Sequence, residues 1–462
     1  MIATASWPKV KVGDLTADMQ PGFACGIHNS TGEGIPHFRP MNVSTEGSIN
    51  RLDLKFVSRE MANRPERTLR RGDVLFNNTN SPELVGKTAL FSDDDEPAFS
   101  NHMTRLRPDT TRITSEFLAL SLHEVWRSGW FATHCNNHVS QASVGRNVLK
   151  DVEIPLPPID VQRKISLSHT QASTSRRSAT GHLVAASGEV NRFRRSVLAA
   201  ACAGRLTADW RADNPTQSAT ALVAELAVTH SANSNRYRAA KAVEASMTDL
   251  GEADWPVSWA VAPLHQLIEA GRPITYGILK PGPNLEGGVP YVRVTDFKAG
   301  TVSLAHIRRT SESIATEYRR SVLRAGDILF AIRGTFGNVA FVPPEIDGGN
   351  ITQDTARLTI DPRVSREYVA LALRSPTVQR RVADAAKGVA VRGVNLGDLR
   401  ELLLPLPPRP EQDEIVRRVH KLLMVADSVR DRVDQAAHAV ESSARKLAAG
   451  MFQQHSTSNG AS

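Results

Sequence analysis

The stretch Ile154-Pro155-Leu156-Pro157-Pro158 recurs 250 residues later as Leu404-Pro405-Leu406-Pro407-Pro408. The similarity extends upstream, where Arg70-Arg71-Gly72-Asp73-Val74-Leu75-Phe76 matches Arg324-Ala325-Gly326-Asp327-Ile328-Leu329-Phe330. Self-similarity over such a length indicates an internal duplication and governs the expected fold. The sequence therefore predicts two similar units, each a globular part followed by a long helix, in a protein that does one job at two places.

Length and composition favour a soluble protein of several domains. A chain of 462 residues exceeds one ordinary hydrophobic core, and 41% hydrophobic with 23% charged residues is typical of globular proteins. No apolar run approaches the roughly 20 residues that span a bilayer, and the N-terminus has no secretory pattern. The three cysteines are far apart, as expected for reduced thiols. We therefore expect a cytoplasmic protein without a membrane segment.

The chain is basic, with a formal net charge of +8 and a pI near 9.6. A basic protein without a membrane signal often binds a polyanion, commonly nucleic acid. The alternative is an arginine-rich composition without any such function. Charge alone leaves both interpretations open.

A heptad pattern follows each proline-rich motif, in the same phase. One apolar stripe alternates at spacings of four and three residues, which keeps it facing a partner helix. In the first copy, His169 and Arg176 interrupt one series, and Gly181 and Gly188 lower helix propensity. The residues predicted to pair the helices are Ile165, Leu183, Val190, Phe193, Val197, Ile415, Val419, Leu422, Val429, Val433, Val440 and Leu447.

Each stripe is too narrow to be stable alone in water, so the two helices are predicted to pair antiparallel as a coiled coil. The alternative is that each helix packs only on its own globular part. The shared heptad phase favours pairing.

The globular parts combine short strand-like runs, bounded by Gly, Pro and Asn, with helices from Ser115 to about Phe131 and from Ser365 to about Ala386. This pattern predicts a mixed α/β (α+β) fold with a pseudo-two-fold repeat. The predicted spans are a first globular domain at 1–153, a helix at 154–203, a spacer at 204–254, a second globular domain at 255–403, a helix at 404–450 and a tail at 451–462.

Polar loops differ between the copies while the framework repeats. Arg333-Gly334-Thr335-Phe336-Gly337-Asn338 stands where the first copy has Asn77-Asn78-Thr79-Asn80-Ser81-Pro82. Arg, Lys, Asn and Gln make the bidentate contacts that read base edges, although Asn and Gly also form ordinary turns. The candidates for base reading are Asn78, Asn80, Asn101, Arg333, Asn338 and Gln353. The candidates for phosphate contacts are Lys55, Arg59, Lys87, Arg105, Arg293, Lys298 and Arg392.

Patterns for catalysis are weak. The segment Ser81–Thr88 resembles a phosphate-binding loop, but Ser81 stands where the first glycine is needed. The segment His134–His138 lacks a second Cys/His pair to complete a structural zinc site. Both are predicted to be polar loops. Catalysis and metal binding by this chain are not expected.

The arrangement resembles the specificity subunit of type I restriction–modification systems. The resemblance rests on Leu404–Pro408 with Glu411-Gln412 and Ile415, and on Ser196–Thr207 running into Trp210-Arg211 and Asn214-Pro215. It rests also on Gly326–Leu329 with Arg333-Gly334-Thr335 and Gly337. The chain departs from the family at Val161, which replaces the usual glutamate before Gln162.

The resemblance implies a non-catalytic DNA-recognition subunit. Two target recognition domains, held apart by the helix pair, would each read one half of a bipartite asymmetric site on double-stranded DNA. Two modification subunits would bind S-adenosylmethionine and methylate adenine, and restriction subunits would use ATP and Mg²⁺. A rival interpretation is a coiled-coil scaffold for protein assembly without DNA recognition, and a second is a stand-alone methyltransferase or nuclease.

Overall fold

A computed structural model describes residues 7–62, 64–137, 141–215, 218–232, 255–298, 300–386 and 393–453. The chain divides into two compact units, residues 1–183 with 435–462, and residues 184–434. Each unit combines short strands with helices and includes one part of each of two long helices. This architecture confirms the predicted mixed α/β fold.

The first unit contains the first α/β domain. Its strands are β1 (Lys9–Lys11), β2 (Thr16–Pro21), β3 (Ile35–Phe38), β4 (Lys55–Val57), β5 (Val74–Asn77), β6 (Thr79–Asn80), β7 (Thr88–Leu90), β8 (Ala98–Phe99), β9 (Met103–Pro108), β10 (Asn136–Asn137), β11 (Ala142–Ser143) and β12 (Glu153–Pro155). Its short helices are α1 (Arg59–Ala62), α2 (Ser115–Arg127), α3 (Trp130–His134) and α4 (Arg146–Asp151). The strand orders are β2-β9-β5-β7, β4-β3-β8, β10-β11-β6 and β1-β12.

The long helix α5 (Ile159–Cys202) begins in the first unit and ends in the second, where α6 (Ala208–Asp213) and α7 (Ala219–Ala232) follow. The strands of the second domain are β13 (Ala260–Pro263), β14 (Thr275–Tyr276), β15 (Val289–Val292), β16 (Phe297–Lys298), β17 (Thr301–Val302), β18 (Arg308–Thr310), β19 (Ile328–Ala331), β20 (Val339–Phe341), β21 (Asn350–Ile351), β22 (Thr355–Leu358) and β23 (Leu403–Leu406). Its helices are α8 (Glu312–Glu317), α9 (Arg366–Arg374), α10 (Pro376–Ala385) and α11 (Leu396–Arg400), followed by the long α12 (Arg409–Gln453). The strand orders are β14-β22-β19-β20-β17-β16, β18-β15-β21 and β13-β23.

The repeated proline motif closes each domain. Ile154 in β12 pairs with Val10 in β1, and Pro405 in β23 pairs with Val261 in β13. Both pairs are two-stranded antiparallel sheets, where a strand with a free edge tolerates proline. The motif therefore brings the end of each domain back to its first strand before the long helix begins.

A buried glutamine ties each long helix to its own domain. Gln412 accepts a hydrogen bond from the Ser365 amide and donates one to the Pro407 carbonyl, both at 2.8 Å. Gln162 accepts from the Thr114 amide and donates to the Pro157 carbonyl, also at 2.8 Å. Both glutamines are fully buried. The sequence repeat at these positions therefore preserves a structural joint.

Contacts within the second unit pair the two long helices. In the second unit Arg194 of α5 donates to Asp427 of α12, and Arg430 donates to Asn191 at 2.5 Å. Numbers rise along α5 as they fall along α12, so the helices run antiparallel, as predicted. In the first unit, a cavity of about 480 Å³ is lined by both helices, including His169, Arg176, Val440 and Ser443.

The predicted apolar seam is only partly buried. Val190, Val197, Ile415 and Val419 are buried, and Ile165, Leu183, Leu422, Val433 and Val440 are half-buried. Phe193 is 42% exposed and Val429 is 41% exposed, contrary to the heptad expectation. The reason is local, because the neighbouring polar pairs Arg194–Asp427 and Asn191–Arg430 make the contact there. The side chain of Leu447 lies outside the described residues.

Both predicted domain helices are shorter than expected. Ser365 caps α9, but the helix ends at Arg374 and Pro376 starts α10. Proline lacks the amide that a continuing helix needs, so the chain breaks at Ser375. In the first copy α2 ends at Arg127, and α3 begins after Gly129, whose φ is +80°.

Acid should destabilise the first domain through His123, which is 6% exposed on α2. Burial, with a smaller effect of Arg127, lowers the pKa of His123 to about 4. Because this folded-state pKa lies below the usual value near 6.5, protonation favours the unfolded chain, and stability falls as pH drops from about 6.5 to 4. The loss should reach about 1.4 kcal/mol per pH unit at its steepest. Unfolding midpoints across this range should fall more steeply for the wild type than for H123N; equal slopes would contradict the assignment.

Candidate nucleic-acid interface

In the second domain, several backbone segments meet where β19 ends. The Asp354 carbonyl accepts hydrogen bonds from the amides of Ile332 and Arg333, at 2.8 and 3.3 Å. The Ile332 carbonyl accepts from Val394, and Arg333 forms an isolated bridge with Gly393. The Gln353 amide donates to the Ile278 carbonyl at 3.0 Å. We call this group the second strand-end cluster: Gly277, Ile278, Ile332, Arg333, Gln353, Asp354, Gly393 and Val394.

The first domain has the same backbone arrangement where β5 ends. The His102 carbonyl accepts hydrogen bonds from Asn78 and Thr79, at 3.1 and 3.3 Å, and Asn101 donates to the Phe23 carbonyl at 3.1 Å. Thr79 pairs with Ser143, and the Asn78 carbonyl accepts from Val144. The first strand-end cluster is therefore Gly22, Phe23, Asn78, Thr79, Asn101, His102, Ser143 and Val144.

Equivalent positions of the two clusters carry different side chains. The matching backbone hydrogen bonds show which positions are equivalent: Thr79 corresponds to Arg333, Asn101 to Gln353, and His102 to Asp354. The sequence predicted Asn78, Asn101, Arg333 and Gln353, and the structure brings each into its cluster. Sequence reasoning missed Thr79, His102, Ser143 and Asp354. Aligning the two copies outward from the repeated Gly-Asp turn would have pointed to Thr79 opposite Arg333.

The predicted base-reading residues differ in how free their side chains are. Arg333 is 54% exposed and lies 3.8 Å from the Asp354 carboxylate. Asn78 donates to Thr104 Oγ1 at 3.0 Å, and Asn80 accepts from the Ser81 amide at 2.9 Å. Asn101 and Asn338 are exposed and Gln353 is half-buried. Arg333, Asn101 and Asn338 are therefore the most accessible of this group.

Lys87 and Arg105 lie inside the first domain, which corrects their assignment as phosphate contacts. The Lys87 ammonium donates to the carbonyls of Val43 and Pro40, and burial lowers its pKa. Arg105 is 2% exposed and donates to the Asp18 carboxylate at 2.6 Å. Both side chains are buried and donate to internal acceptors, so neither is available to a phosphate at the surface.

The other predicted cations are more accessible. Arg293 is 28% exposed but holds the Asp296 carboxylate at 2.7 Å. Lys298 and Arg59 are exposed, and half-buried Lys55 donates to the Ser30 hydroxyl. Arg392 lies outside the described residues.

Acidic residues lie at the opposite end of β5 from the first cluster. The turn before β5 includes Arg71, which pairs with Asp94 at 2.7 Å. Arg51 pairs with Asp95 at 2.7 Å, and Arg70 with Glu96 at 3.7 Å. These arginines are neutralised by the acidic turn. A polyanion would therefore approach the Asn78 end of the strand more favourably than this end.

The two weak chemical motifs form ordinary local structure where they are described. His134 stacks on Trp130 with ring centroids 3.9 Å apart, and Cys135 donates to the Ala132 carbonyl. His138 lies outside the described residues. The part of the chain that the structure describes contains no group of three or more His, Cys, Asp or Glu side chains suited to a metal ion. In that same part, no helix is both long and apolar enough to cross a membrane.

The chain thus contains a duplicated α/β domain, and the two copies carry different polar clusters and are each joined to a long helix. Residues 256–429 match the family model described as the type I restriction modification DNA specificity domain. The chain is similar to type I restriction–modification specificity subunits. This similarity agrees with the family resemblance predicted from the sequence, and the relatives are named as specificity subunits.

Two relatives extend the similarity beyond the matched domain. The chain is 30% identical to the type I restriction enzyme EcoBI specificity subunit of Escherichia coli over 315 residues, 68% of this chain. It is 25% identical to the EcoKI specificity subunit of Escherichia coli K12 over 435 residues, 90% of this chain. The chain spans 60% of the length of the EcoBI relative and 82% of the EcoKI relative.

Two solved structures share the fold. One, from a study of complex assembly and conformational transition of the type I R-M system, gives a TM-score of 0.61 at 16% identity. The HsdS subunit from Thermoanaerobacter tengcongensis gives 0.53 at 18% identity. Each comparison covers 97% of both chains. At these identities the likeness shows the fold, including two α/β domains with long helices.

Proposed function

We propose that this chain binds double-stranded DNA and reads a bipartite, asymmetric site, one half with each α/β domain. The observation that carries the proposal is the pair of strand-end clusters, which share a backbone and differ in side chains. A shared scaffold keeps the mode of docking, while different polar groups select different bases. The family description as a DNA specificity domain supports the same function.

Charge supports DNA as the ligand. The net charge of +8 favours association with phosphates, and the binding should weaken as salt rises. Lys55, Arg59 and Lys298 are the surface cations assigned to phosphate contacts. Arg333, Asn101, Asn338 and Gln353 are assigned to base edges. Phosphate contacts would fix position, and base contacts would supply specificity.

The proposed role includes partner subunits. Modification subunits, two in our proposal, would carry S-adenosylmethionine and methylate adenine at the site that this chain selects. Restriction subunits would supply ATP- and Mg²⁺-dependent cleavage. The relatives are named as specificity subunits of restriction enzymes, which supports such an assembly. We assign no cofactor to this chain and expect it to act in the cytoplasm.

The proposal is tested by expressing the chain with its candidate modification subunit and mapping methylated adenines across the host genome. The expected result is one split motif with two fixed halves and a constant gap. A soluble complex that adds no methylation and shows no salt-dependent DNA binding would instead support an assembly scaffold.

Within that complex, Arg333→Ala should relax recognition of one half-site only. A good bidentate base contact contributes about 1–3 kcal/mol, so discrimination at the affected base pair should fall about 5- to 150-fold. The matched control is Arg324→Ala, because Arg324 precedes β19, is 57% exposed and pairs with Glu269 at 3.1 Å. The control should leave the motif unchanged. Equal loss of binding to unrelated sequences would identify Arg333 as a phosphate contact instead.

A further inference from the structure

We propose that Asp354 and Arg333 form a reading pair that selects a G·C base pair in the half-site of the second domain. The inference rests on the proposed function, and it assigns a specificity-determining role to Asp354. In this pair Arg333 donates to guanine O6 and N7, and Asp354 accepts from the cytosine amino group.

The backbone places the two side chains together. The Asp354 carbonyl accepts hydrogen bonds from the amides of Ile332 and Arg333, so the two chain segments are held in contact without help from either side chain. Arg333 Nη1 lies 3.8 Å from Asp354 Oδ1, and the side chains are 54% and 43% exposed. At that separation the ion pair is loose. Within the described residues neither side chain makes a hydrogen bond, so the guanidinium has donors and the carboxylate has acceptors to offer a base pair.

The chemistry of this pair matches one base pair best. In the major groove guanine presents two acceptors, O6 and N7, and cytosine presents one amino donor. A forked cation beside a carboxylate offers the complementary set of donors and acceptors. A thymine·adenine pair offers only one amino donor beside a single purine acceptor, and the thymine O4 acceptor would repel the carboxylate.

The negative charge of Asp354 argues against a role in binding the DNA backbone, and its exposure argues against a role in folding. Phosphates repel Asp354, so a carboxylate at the cluster weakens binding that does not engage a base amino group. An exposed ion pair contributes only about 0–1 kcal/mol to stability, which is little reason to place it there for folding.

The first domain provides an internal comparison. His102 occupies the position of Asp354, and Thr79 that of Arg333, with the same hydrogen bonds to the backbone. The backbone arrangement therefore forms without a carboxylate or an arginine. Asp73 and Asp327, by contrast, are carboxylates in both copies, are buried, and accept the amides of Arg70 and Arg324. The aspartate of this turn is thus retained in both copies, and the cluster aspartate is not.

The test uses the specificity chain in complex with its modification subunit. Adenine methylation is mapped for the wild type, Arg333→Ala, Asp354→Asn and Asp347→Asn. Asp347 is the control, since it is an exposed aspartate of the same domain that accepts the Ala325 amide, a bond that asparagine can keep. Asp354→Asn and Arg333→Ala should each relax the same G·C position in one half-site, about 5- to 150-fold. Asp347→Asn should leave the motif unchanged.

Modified duplexes then separate a reading role from a structural one. In the wild-type complex, 7-deazaguanine at that position should weaken binding because guanine loses N7. N4-methylcytosine should weaken binding to the wild type more than to the Asp354→Asn complex. A purely structural aspartate would instead reduce binding to all sequences and respond to neither modified base.

The outcomes distinguish this inference from the proposed function. A wild-type complex that methylates no split motif would overturn both. A split motif in which Asp354→Asn and Arg333→Ala relax different positions, an A·T pair, or no position would overturn the reading pair and leave bipartite recognition standing.

Discussion

Replacing Glu411 by alanine should lower the free energy of unfolding of the second unit by about 3–5 kcal/mol. Glu411 is fully buried at the start of α12. It accepts hydrogen bonds from Thr207 Oγ1 at 2.7 Å, from Arg211 Nη2 at 2.8 Å and from Trp259 Nε1 at 2.9 Å. The alanine variant would leave the Arg211 charge and two neutral donors without their acceptor, and removing one partner of a buried ion pair is the costly change.

Denaturant unfolding checks this prediction, with Glu189→Ala as the control. Glu189 and Arg192 form an ion pair on α5 in which both side chains are about two-thirds exposed, so its loss should change stability by less than about 1 kcal/mol. Glu411→Gln should fall between the two, because it keeps one acceptor but loses the charge. An alanine variant as stable as Glu189→Ala would show that the segment after α5 does not depend on this carboxylate.

The two copies of the duplication differ at the position of Glu411. Val161 stands at the position of Glu411, one residue before the buried Gln162. Valine can accept no hydrogen bond from a side chain, so the Thr207–Arg211–Trp259 arrangement has no equivalent acceptor in the first copy. The glutamine joint is kept in both copies, because it binds only backbone groups of its own domain. The substitution at Val161 thus removes the acceptor that this arrangement uses in the second unit.

Most of the fold was predictable from local patterns in the sequence. Prolines, glycine turns and heptads act over a few residues, so the duplication, the mixed α/β domains and the antiparallel helices were predictable. The interior positions of Lys87 and Arg105 were not, because the carbonyls and carboxylates that receive them come from distant segments. The heptad pattern likewise failed to predict that Phe193 and Val429 are exposed, because polar side chains form the contact between the helices there.

The candidate site was predictable only in part, for a related reason. Arg333 and Asn101 were found by their chemistry and by the turns in which they lie. Asp354 and His102 became visible only through the long-range hydrogen bonds of their carbonyls. Sequence patterns do not reveal such long-range pairings. The internal repeat helps, because a site residue found in one copy indicates the equivalent position in the other.

Two glycines show how closely each cluster is packed, and replacing either should have a large and selective effect. A Cβ on Gly277 would lie 1.9 Å from the Ile351 carbonyl oxygen, and one on Gly22 would lie 2.2 Å from that of Phe99. Both obstacles are backbone atoms, which cannot move aside as a flexible side chain can. Gly277→Ala must therefore separate the segment at Ile278 from its neighbours.

The separation would break hydrogen bonds that define the second cluster. The Ile278 amide donates to Ile351 at 2.7 Å, and its carbonyl accepts from Gln353 at 3.0 Å. Overpacking of about 1–3 kcal/mol, with two lost bonds of about 0.5–1.5 kcal/mol each, predicts a destabilisation of about 2–6 kcal/mol. Gly188→Ala is the control, because nothing lies within 4 Å of a Cβ on this helical glycine. It should be neutral or stabilising by about 0.5–1 kcal/mol.

Recognition should respond more selectively than stability does. Because each cluster is built from its own domain, Gly277→Ala should remove the requirement for one half of the methylated motif, and Gly22→Ala the requirement for the other. Methylation mapping at a temperature where both variants remain folded checks this, and the Gly188→Ala complex should keep the whole motif. If both glycine variants lost the same half, or lost both halves equally while folded, the two clusters would not be independent readers. Reciprocal loss would tie each half-site to one cluster, because the two substitutions act on equivalent backbone positions and differ only in the domain that they distort.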